Sequence, residues 1–427
     1  MTKEATIEKE QKVVLPSVES IVKAQMRLRD TVTKTPLMYN LNLSKEYEAK
    51  VYLKREDLQV VRSYKIRGAY NKISSLTEEE MSRGVVCASA GNHAQGVAYA
   101  CQKLNIKGVI FMPSPTPSQK VRQVRMFGQQ HVEVVLTGDT FDDAYAAAMD
   151  YTEAHHSVFI HPFDDPKVIE GQGTVGMEIL EEVTDEVDYL LVPIGGGGLA
   201  AGVGSYFKQI SPKTKIIGIE PEGAPAMKLS LEKGTVVTLG KIDKFVDGAA
   251  VQRVGENTFE ICRELLDEVI TVPEGKVCST ILKLYNEEAI VVEPAGALTI
   301  AALDLYRNTL KGKSVVCVVS GSNNDITRME EIKERSLLYE GLKYYMLVRF
   351  PQRAGALKDF LVNVLGPKDD IVHFEYTKKT NREKGPALVG LEVESKEDFQ
   401  ALQQRMQEKG IQAELVNERS DLFSFFI

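Results

Sequence analysis

The sequence predicts an α/β core with a largely parallel sheet, split into two subdomains, and a separate ferredoxin-like α+β module behind it. Three observations carry that expectation. Short apolar runs alternate with amphipathic stretches from about residue 50 to about residue 320, the order that builds parallel sheets with crossover helices. Past about Asn323 the order becomes β-α-β-β-α-β within about 85 residues, the split βαβ pattern. A length of 427 residues also exceeds one ordinary domain of roughly 100–200 residues.

Taken in order, the first fifteen or so residues read as a loose polar arm, and a helix is expected at Val18–Arg29. Lys50–Arg55 alternates as a strand. Further strands are expected at Val85–Ala88, Val109–Met112, Val132–Leu136, Val158–His161, Leu190–Ile194, Ile216–Glu220, Val269–Val272 and Val315–Val319. Several are near-continuous apolar runs, as strands covered on both faces require. Helices at Ala94–Leu104, Gln119–Phe127 and Phe141–His155 lie between them. So many long crossovers favour two subdomains over one very wide sheet. In the terminal module, strands Tyr344–Phe350, Ile371–Thr377, Ala387–Val393 and Ile411–Val416 alternate with helices Ala354–Leu365 and Lys396–Lys409. A charged helical stretch, I-T-R-M-E-E-I-K-E-R-S-L, precedes them.

Composition narrows the class. A net charge of −8 without any Lys/Arg block argues against nucleic acid as a partner. The N-terminus is polar and no run of 18 apolar residues occurs, so neither a secretory signal nor a membrane span is expected. Cys87, Cys101, Cys262, Cys278 and Cys317 are scattered, odd in number and free of C-x-x-C spacing. That usage predicts a reducing, cytoplasmic setting with no disulfide framework and no structural zinc.

Four segments carry chemistry. In S-Y-K-I-R-G-A (63–69), Ser63 is expected to cap a helix starting at Tyr64, with Lys65 in its first turn. Free helix N–H groups disfavour a second positive charge, which helps a lysine become the neutral amine that forms a Schiff base. S-A-G-N-H (89–93) turns from a strand into a helix and offers backbone N–H donors to a carboxylate. P-I-G-G-G-G-L-A-A-G (193–202) follows a strand and opens a helix, so backbone amides can close on a phosphate. Alone, this stretch is equally readable as a dinucleotide site, because Gly195, Gly197 and Ala200 fit G-x-G-x-x-A and Glu220 ends the next strand. V-V-C-V-V-S-G-S-N (315–323) puts Ser320 at the carboxyl end of a buried strand, where α/β sheets keep ligands.

In this order and spacing the four segments resemble the tryptophan-synthase-β-like (fold type II) pyridoxal-phosphate enzymes, and within them the biosynthetic threonine dehydratases (threonine ammonia-lyases). V-D-G-A-A-V (246–251) and V-E-P-A-G-A (292–297) add to the likeness, which covers about residues 20–330. It leaves the dinucleotide reading without a use for the lysine and serine segments. The resemblance implies pyridoxal 5'-phosphate as cofactor, with Lys65 its Schiff-base lysine and the base that takes the substrate α-proton. It implies that Gly195, Gly196, Gly197 and Gly198, with Leu199, hold the cofactor phosphate. Asn92 would bond its phenolic oxygen and Ser320 its pyridine nitrogen. Ser89, Ala90, Gly91, Asn92 and His93 would receive the substrate carboxylate. Tyr64 and Arg67 are read as packing and scaffold, and His93 as support for its loop. A serine at the pyridine nitrogen moderates the electron sink, which favours loss of the β-hydroxyl over reprotonation.

No metal is expected. His155, His156 and His161 are read as surface histidines around a helix end, and Ala226 replaces the acid that related racemases use beside Glu220 and Ala224. R-A-G-A-L (353–357) resembles the R-P-G-A-L turn of ACT-like amino-acid-binding domains, with Ala354 in place of proline. The expected organisation is a catalytic domain at 1–330 with a smaller subdomain at about 60–165, a linker at 331–342 and one ACT-like regulatory domain at 343–420. The expected reaction converts L-threonine to 2-oxobutanoate and ammonia, with L-serine the alternative substrate and L-isoleucine the effector, in a homodimer or homotetramer. A serine/threonine racemase-dehydratase, a catabolic dehydratase, a β-replacement synthase and a non-catalytic amino-acid sensor are the competing readings.

Overall fold

The computed structural model describes residues 14–376 and 384–417. Its strands are β1 (Leu37–Tyr39), β2 (Lys50–Arg55), β3 (Val85–Ala88), β4 (Gly108–Met112), β5 (Val132–Leu136), β6 (Val158–Phe159), β7 (Tyr189–Pro193), β8 (Lys215–Pro221), β9 (Glu268–Val272), β10 (Ser314–Val319), β11 (Lys343–Pro351), β12 (Asp370–Tyr376), β13 (Lys384–Glu392) and β14 (Gln412–Leu415). They form three sheets. The first has the order β1-β2-β10-β7-β8-β9, parallel except for β1 at one edge. The second has the order β5-β4-β3-β6 and is parallel throughout. Every residue of β3, β7 and β10 is buried, which explains why these strands read as unbroken apolar runs.

Chain contacts divide the molecule into Met1–Pro273 with Ile290–Asp325, and Glu274–Ala289 with Ile326–Ile427. The first unit contains both parallel sheets, and the four-stranded one lies within 85–159. This contact division differs from the expected organisation in two places. The second unit begins at Ile326, and helix Met329–Glu340 occupies most of the expected 331–342 linker. It also reclaims helix Glu274–Glu288, which packs on Met329–Glu340 and joins it through Ser279 and Ser336, 3.0 Å apart. The third sheet belongs to this unit: β12-β13-β11-β14, antiparallel, with helices Ala356–Asn363 and Lys396–Glu408 in the ferredoxin-like order. Thr377, expected to end a strand, lies outside the described residues. Phe350, Phe360, Val389, Leu391 and Leu402 centre this unit's own core.

In the first unit, helix Lys65–Ser74 packs against both Asn92–Leu104 and Pro166–Glu182. The last of these is a poor helix by propensity, since Gly171, Gly173 and Gly176 lie inside it. Packing overrides the cost. A side chain at Gly171 would meet the Arg67 carbonyl, so the small residue lets two helix backbones touch. Pro166 at its first turn and Asp165, which accepts from the N–H groups of Lys167 and Val168, start the helix.

A buried ionic cluster fastens the Lys65 helix. The Arg67 guanidinium bonds both oxygens of Glu56 and of Glu178 at 2.7–2.8 Å, and Lys54 reaches Glu178 at 2.7 Å and the Thr35 carbonyl at 2.5 Å. All four charged side chains are essentially inaccessible. Burial alone would raise the Glu178 carboxyl, but Arg67 and Lys54 outweigh it and hold it below the usual range. Arg67 therefore acts as a scaffold two residues from Lys65.

Candidate active site

The segments singled out by sequence meet at the carboxyl ends of parallel strands in the first unit. Ser89 follows β3, Gly195 lies two residues past β7, and Ser320 follows β10. This is where open α/β sheets place ligands.

Lys65 opens its helix, but Ser63 does not cap it. Ser63 forms an isolated bridge with Gly321, and Tyr64, already helical in its backbone, occupies the cap position with no side-chain bond. The tertiary pairing takes the backbone that capping would need. It ties two of the segments directly, since the Tyr64 N–H donates to the Ser320 carbonyl at 3.2 Å and the Ser322 N–H to the Arg62 carbonyl at 2.9 Å. The Ser63 hydroxyl is left buried without a partner.

The Lys65 amine donates to the Pro162 carbonyl at 2.8 Å. Burial pushes its pKa down to about 8, against a smaller upward pull from Glu293. The depression expected from the helix end thus arises mainly from desolvation. Phe163, next in the chain, lies against the glycine run, where a side chain at Gly196 would overlap its ring. This short segment brings the lysine and the glycines together.

The glycine run is built for its N–H groups. Gly197 has φ +93°, a backbone that other residues rarely adopt, and it precedes helix Gly198–Ile210 without a side-chain cap. The Gly196 carbonyl accepts from the Thr258 hydroxyl at 2.6 Å, and the Gly197 carbonyl from Ala201 N–H at 2.8 Å. Among the described residues, the N–H groups of Gly195 through Leu199 meet no acceptor. A row of free donors at a thirteen-residue helix start suits a phosphate.

In the 89–93 turn, Gly91 N–H donates to the Ser89 hydroxyl at 3.2 Å, and helix Asn92–Leu104 begins uncapped by any side chain. Ser89, Ala90, Gly91 and Asn92 all keep part of their surface accessible. His93 turns inward, its Nε2 2.8 Å from the Ile160 carbonyl, and burial with nearby Lys65 lowers it to about 3. It is a neutral support for the loop. Asn92 Nδ2 donates to Glu293 Oε1 at 2.7 Å, while Asn92 Oδ1 and His93 Nδ1 are buried and unpartnered. Glu293 had no role in the sequence reading, although V-E-P-A-G-A was noted. A lone acid between valine and proline carries no local sign that it faces a residue 201 positions away.

The remaining candidates have structural partners. His161 Nδ1 accepts from Phe163 and Asp164 N–H groups, His155 stacks on Tyr151, and His156 ends a helix in the left-handed conformation. Glu220 accepts from Met227 and Lys228 N–H groups at 2.7 and 2.8 Å.

A depressed amine, a phosphate-sized set of free amides and orphaned polar atoms fit an aldehyde-bearing phosphate monoester, the chemistry of pyridoxal 5'-phosphate. Comparisons with known proteins agree. The model of the pyridoxal-phosphate dependent enzymes matches residues 28–321, and that of the C-terminal regulatory domain of threonine dehydratase matches residues 334–426. The biosynthetic L-threonine dehydratase IlvA of Halalkalibacterium halodurans is 59% identical over 410 residues, spanning 96% of this chain and 99% of that protein. The processed form of threonine deaminase isoform 2 from Solanum lycopersicum is 41% identical, with a TM-score of 0.71 over 76% of this chain and 96% of that one. Maize serine racemase is 32% identical with a TM-score of 0.70, but its entire length covers only 77% of this chain. The chain belongs to the pyridoxal-phosphate-dependent enzymes and, within them, to the biosynthetic threonine dehydratases.

Proposed function

We propose that this protein carries out α,β-elimination of L-threonine to 2-oxobutanoate and ammonia, the first step of isoleucine biosynthesis, with L-serine as an alternative substrate. The observation that carries the reading is the Lys65 amine, depressed to about 8 and held beside the free amides of the glycine run through Pro162 and Phe163. Bound pyridoxal 5'-phosphate supplies an electron sink for the substrate α-carbon. Lys65 would carry the cofactor, and its Nζ would take the proton from the substrate α-carbon. The N–H groups of Gly195, Gly196, Gly197, Gly198 and Leu199 bind the phosphate. Asn92 would donate to the phenolic oxygen, and Ser320 would donate its hydroxyl to the pyridine nitrogen. Backbone donors of Ser89–His93 orient the substrate carboxylate.

A second site accounts for the terminal module. In that unit a cavity of about 550 Å³ opens at the R-A-G-A-L turn, between Phe350, Leu361, Val362 and Phe374 on its apolar side and the backbone of 353–356. An apolar wall beside a helix start suits a branched amino acid, and we assign L-isoleucine to it as an inhibitor. Inhibition requires that isoleucine bind two states of the enzyme unequally. The protein is proposed to be a cytoplasmic homodimer or homotetramer. All five cysteines are free and buried, and no helix among the described residues is long and apolar enough to cross a membrane.

The test is 2-oxobutanoate release from L-threonine by the full chain, with and without L-isoleucine. Threonine-dependent 2-oxobutanoate that falls with isoleucine, and that escapes inhibition in Leu361→Glu, supports both assignments. Serine racemisation without 2-oxoacid would favour the racemase reading. Elimination indifferent to isoleucine would remove the effector assignment alone.

A further inference from the structure

Glu293 sits where a structural residue would be badly chosen. It precedes Pro294 at the cap position of helix Pro294–Ala301, yet its side chain does not cap that helix. It is 3% exposed instead, and Asn92 Nδ2 donates to its Oε1 at 2.7 Å. Its backbone N–H donates to the Gly321 carbonyl at 3.2 Å. A side chain at Gly321 would strike the carboxyl, and one at Gly248 would come within 3.4 Å of it. Three segments that frame the site, 89–93, 246–251 and 320–323, therefore close around one carboxyl. Among the described residues no cation lies within ion-pair distance of it. Contrast Glu178, which is as deeply buried but meets two cations. A glutamine would make the same bond to Asn92 without the desolvation cost of a charge.

The amide of Asn92 has two N–H groups and one carbonyl oxygen. One N–H goes to Glu293, and Oδ1 is buried without a partner. An ionised Glu293 accepts only, so it holds the NH₂ end of the amide in place and leaves the second N–H for a ligand. A protonated Glu293 becomes a donor, and the orphan Oδ1 is the acceptor it would take by turning the amide over. We propose that Glu293 is a positioning residue whose proton sets the orientation of the Asn92 amide and so switches the hydrogen bond to the cofactor's phenolic oxygen. This rests on the reading of Asn92 given above. Burial, with Asp247 assisting, raises Glu293 to about 7, and Asn92, Lys120 and Lys65 pull the other way. The switch therefore operates near neutral pH. The groups that face it are Lys65 and Tyr64 on and before one helix, Asn92 on a second, and the ion pair Lys120–Asp247, 2.6 Å apart.

The experiment follows the visible absorption band of the full-length holoenzyme from pH 5.5 to 9, without substrate, in wild type, Glu293→Gln, Asn92→Ala and Asp247→Asn. The wild-type band should change with an inflection near neutrality. Glu293→Gln, which keeps the bond but cannot titrate, should be flat, and Asn92→Ala should also be flat. Asp247 is partly exposed. Removing its charge should move the inflection to lower pH by about half a unit or more. A wild-type inflection that survives in Glu293→Gln or Asn92→Ala, or stays put in Asp247→Asn, overturns the proposal. So does a wild-type band that is present but independent of pH. Absence of the band in wild type would instead strike the assignment of the cofactor site, and the proposal with it.

Discussion

Lys54 and Lys65 stand eleven residues apart, one in a strand and one at a helix start, and they have opposite surroundings. Lys54 is completely inaccessible and spends its charge on Glu178 and a carbonyl. Lys65 has a single carbonyl partner and, among the described residues, no carboxylate within ion-pair distance. The first environment keeps an ammonium charged and uses it to lock helices. The second makes charge expensive and leaves an amine ready to react. What separates a structural lysine from a chemical one here is the partner more than the burial: Lys54 is fully enclosed, while Lys65 keeps part of its surface accessible. Arg67 links the two regions, because the cluster it anchors fixes the turn that carries Lys65.

The largest effect should come from Lys65→Ala. Threonine elimination should fall by more than about 10⁴-fold, the upper end of what one positioned general base contributes, while the circular dichroism spectrum stays unchanged. An activity loss below tenfold would erase the distinction between the two lysines. Lys54→Met or Arg67→Met should do the reverse, lowering unfolding free energy by about 3–5 kcal/mol because a buried charge loses its partner. Denaturant titration measures it. This stabilisation also has a pH sign. The folded Glu178 is held below its unfolded pKa, so its contribution is present above the ordinary carboxylate range and disappears as pH falls through the folded value.

Next in size is Gly197→Val. Strain at φ +93° and loss of a close amide approach should weaken cofactor affinity, with the backbone alone costing about 1–3 kcal/mol. Cofactor fluorescence titration reads it. The smallest effect runs the other way. Lys65 is depressed to about 8 in the folded protein, so the cofactor-free chain is destabilised below that pH and relieved as pH rises toward the unfolded value. Lys65→Met should stabilise the cofactor-free protein by roughly 0.5–2 kcal/mol at pH 7, as removal of a strained functional group does. That gain should shrink by pH 10, and an increment constant with pH would show that charge is not its source.

The same contrast marks what was legible in the sequence. Ser89, Gly195 and Ser320 were placed at strand ends because strand, turn and helix are local patterns, and the structure sets all three at the carboxyl edge. Contacts made across the chain were not legible. Pro162 and Phe163 join the lysine to the glycines with no motif to advertise it, and Glu293 finds Asn92 from far along the chain. Ser63 has every local mark of a cap, yet pairing with Gly321 uses its backbone otherwise. Three glycines disguise helix Pro166–Glu182, whose stability comes from the backbone contact they permit. Helix Glu274–Glu288 groups by contact with the later unit although its own residues carry no sign of it.

The central claim is that Lys65, and no other lysine, holds the cofactor. Borohydride reduction of the holoenzyme, followed by peptide mapping, tests it directly. The account predicts a single pyridoxyl-phosphate adduct on the peptide containing Lys65, with Lys54 unmodified; an adduct on Lys54 or any other lysine would contradict it.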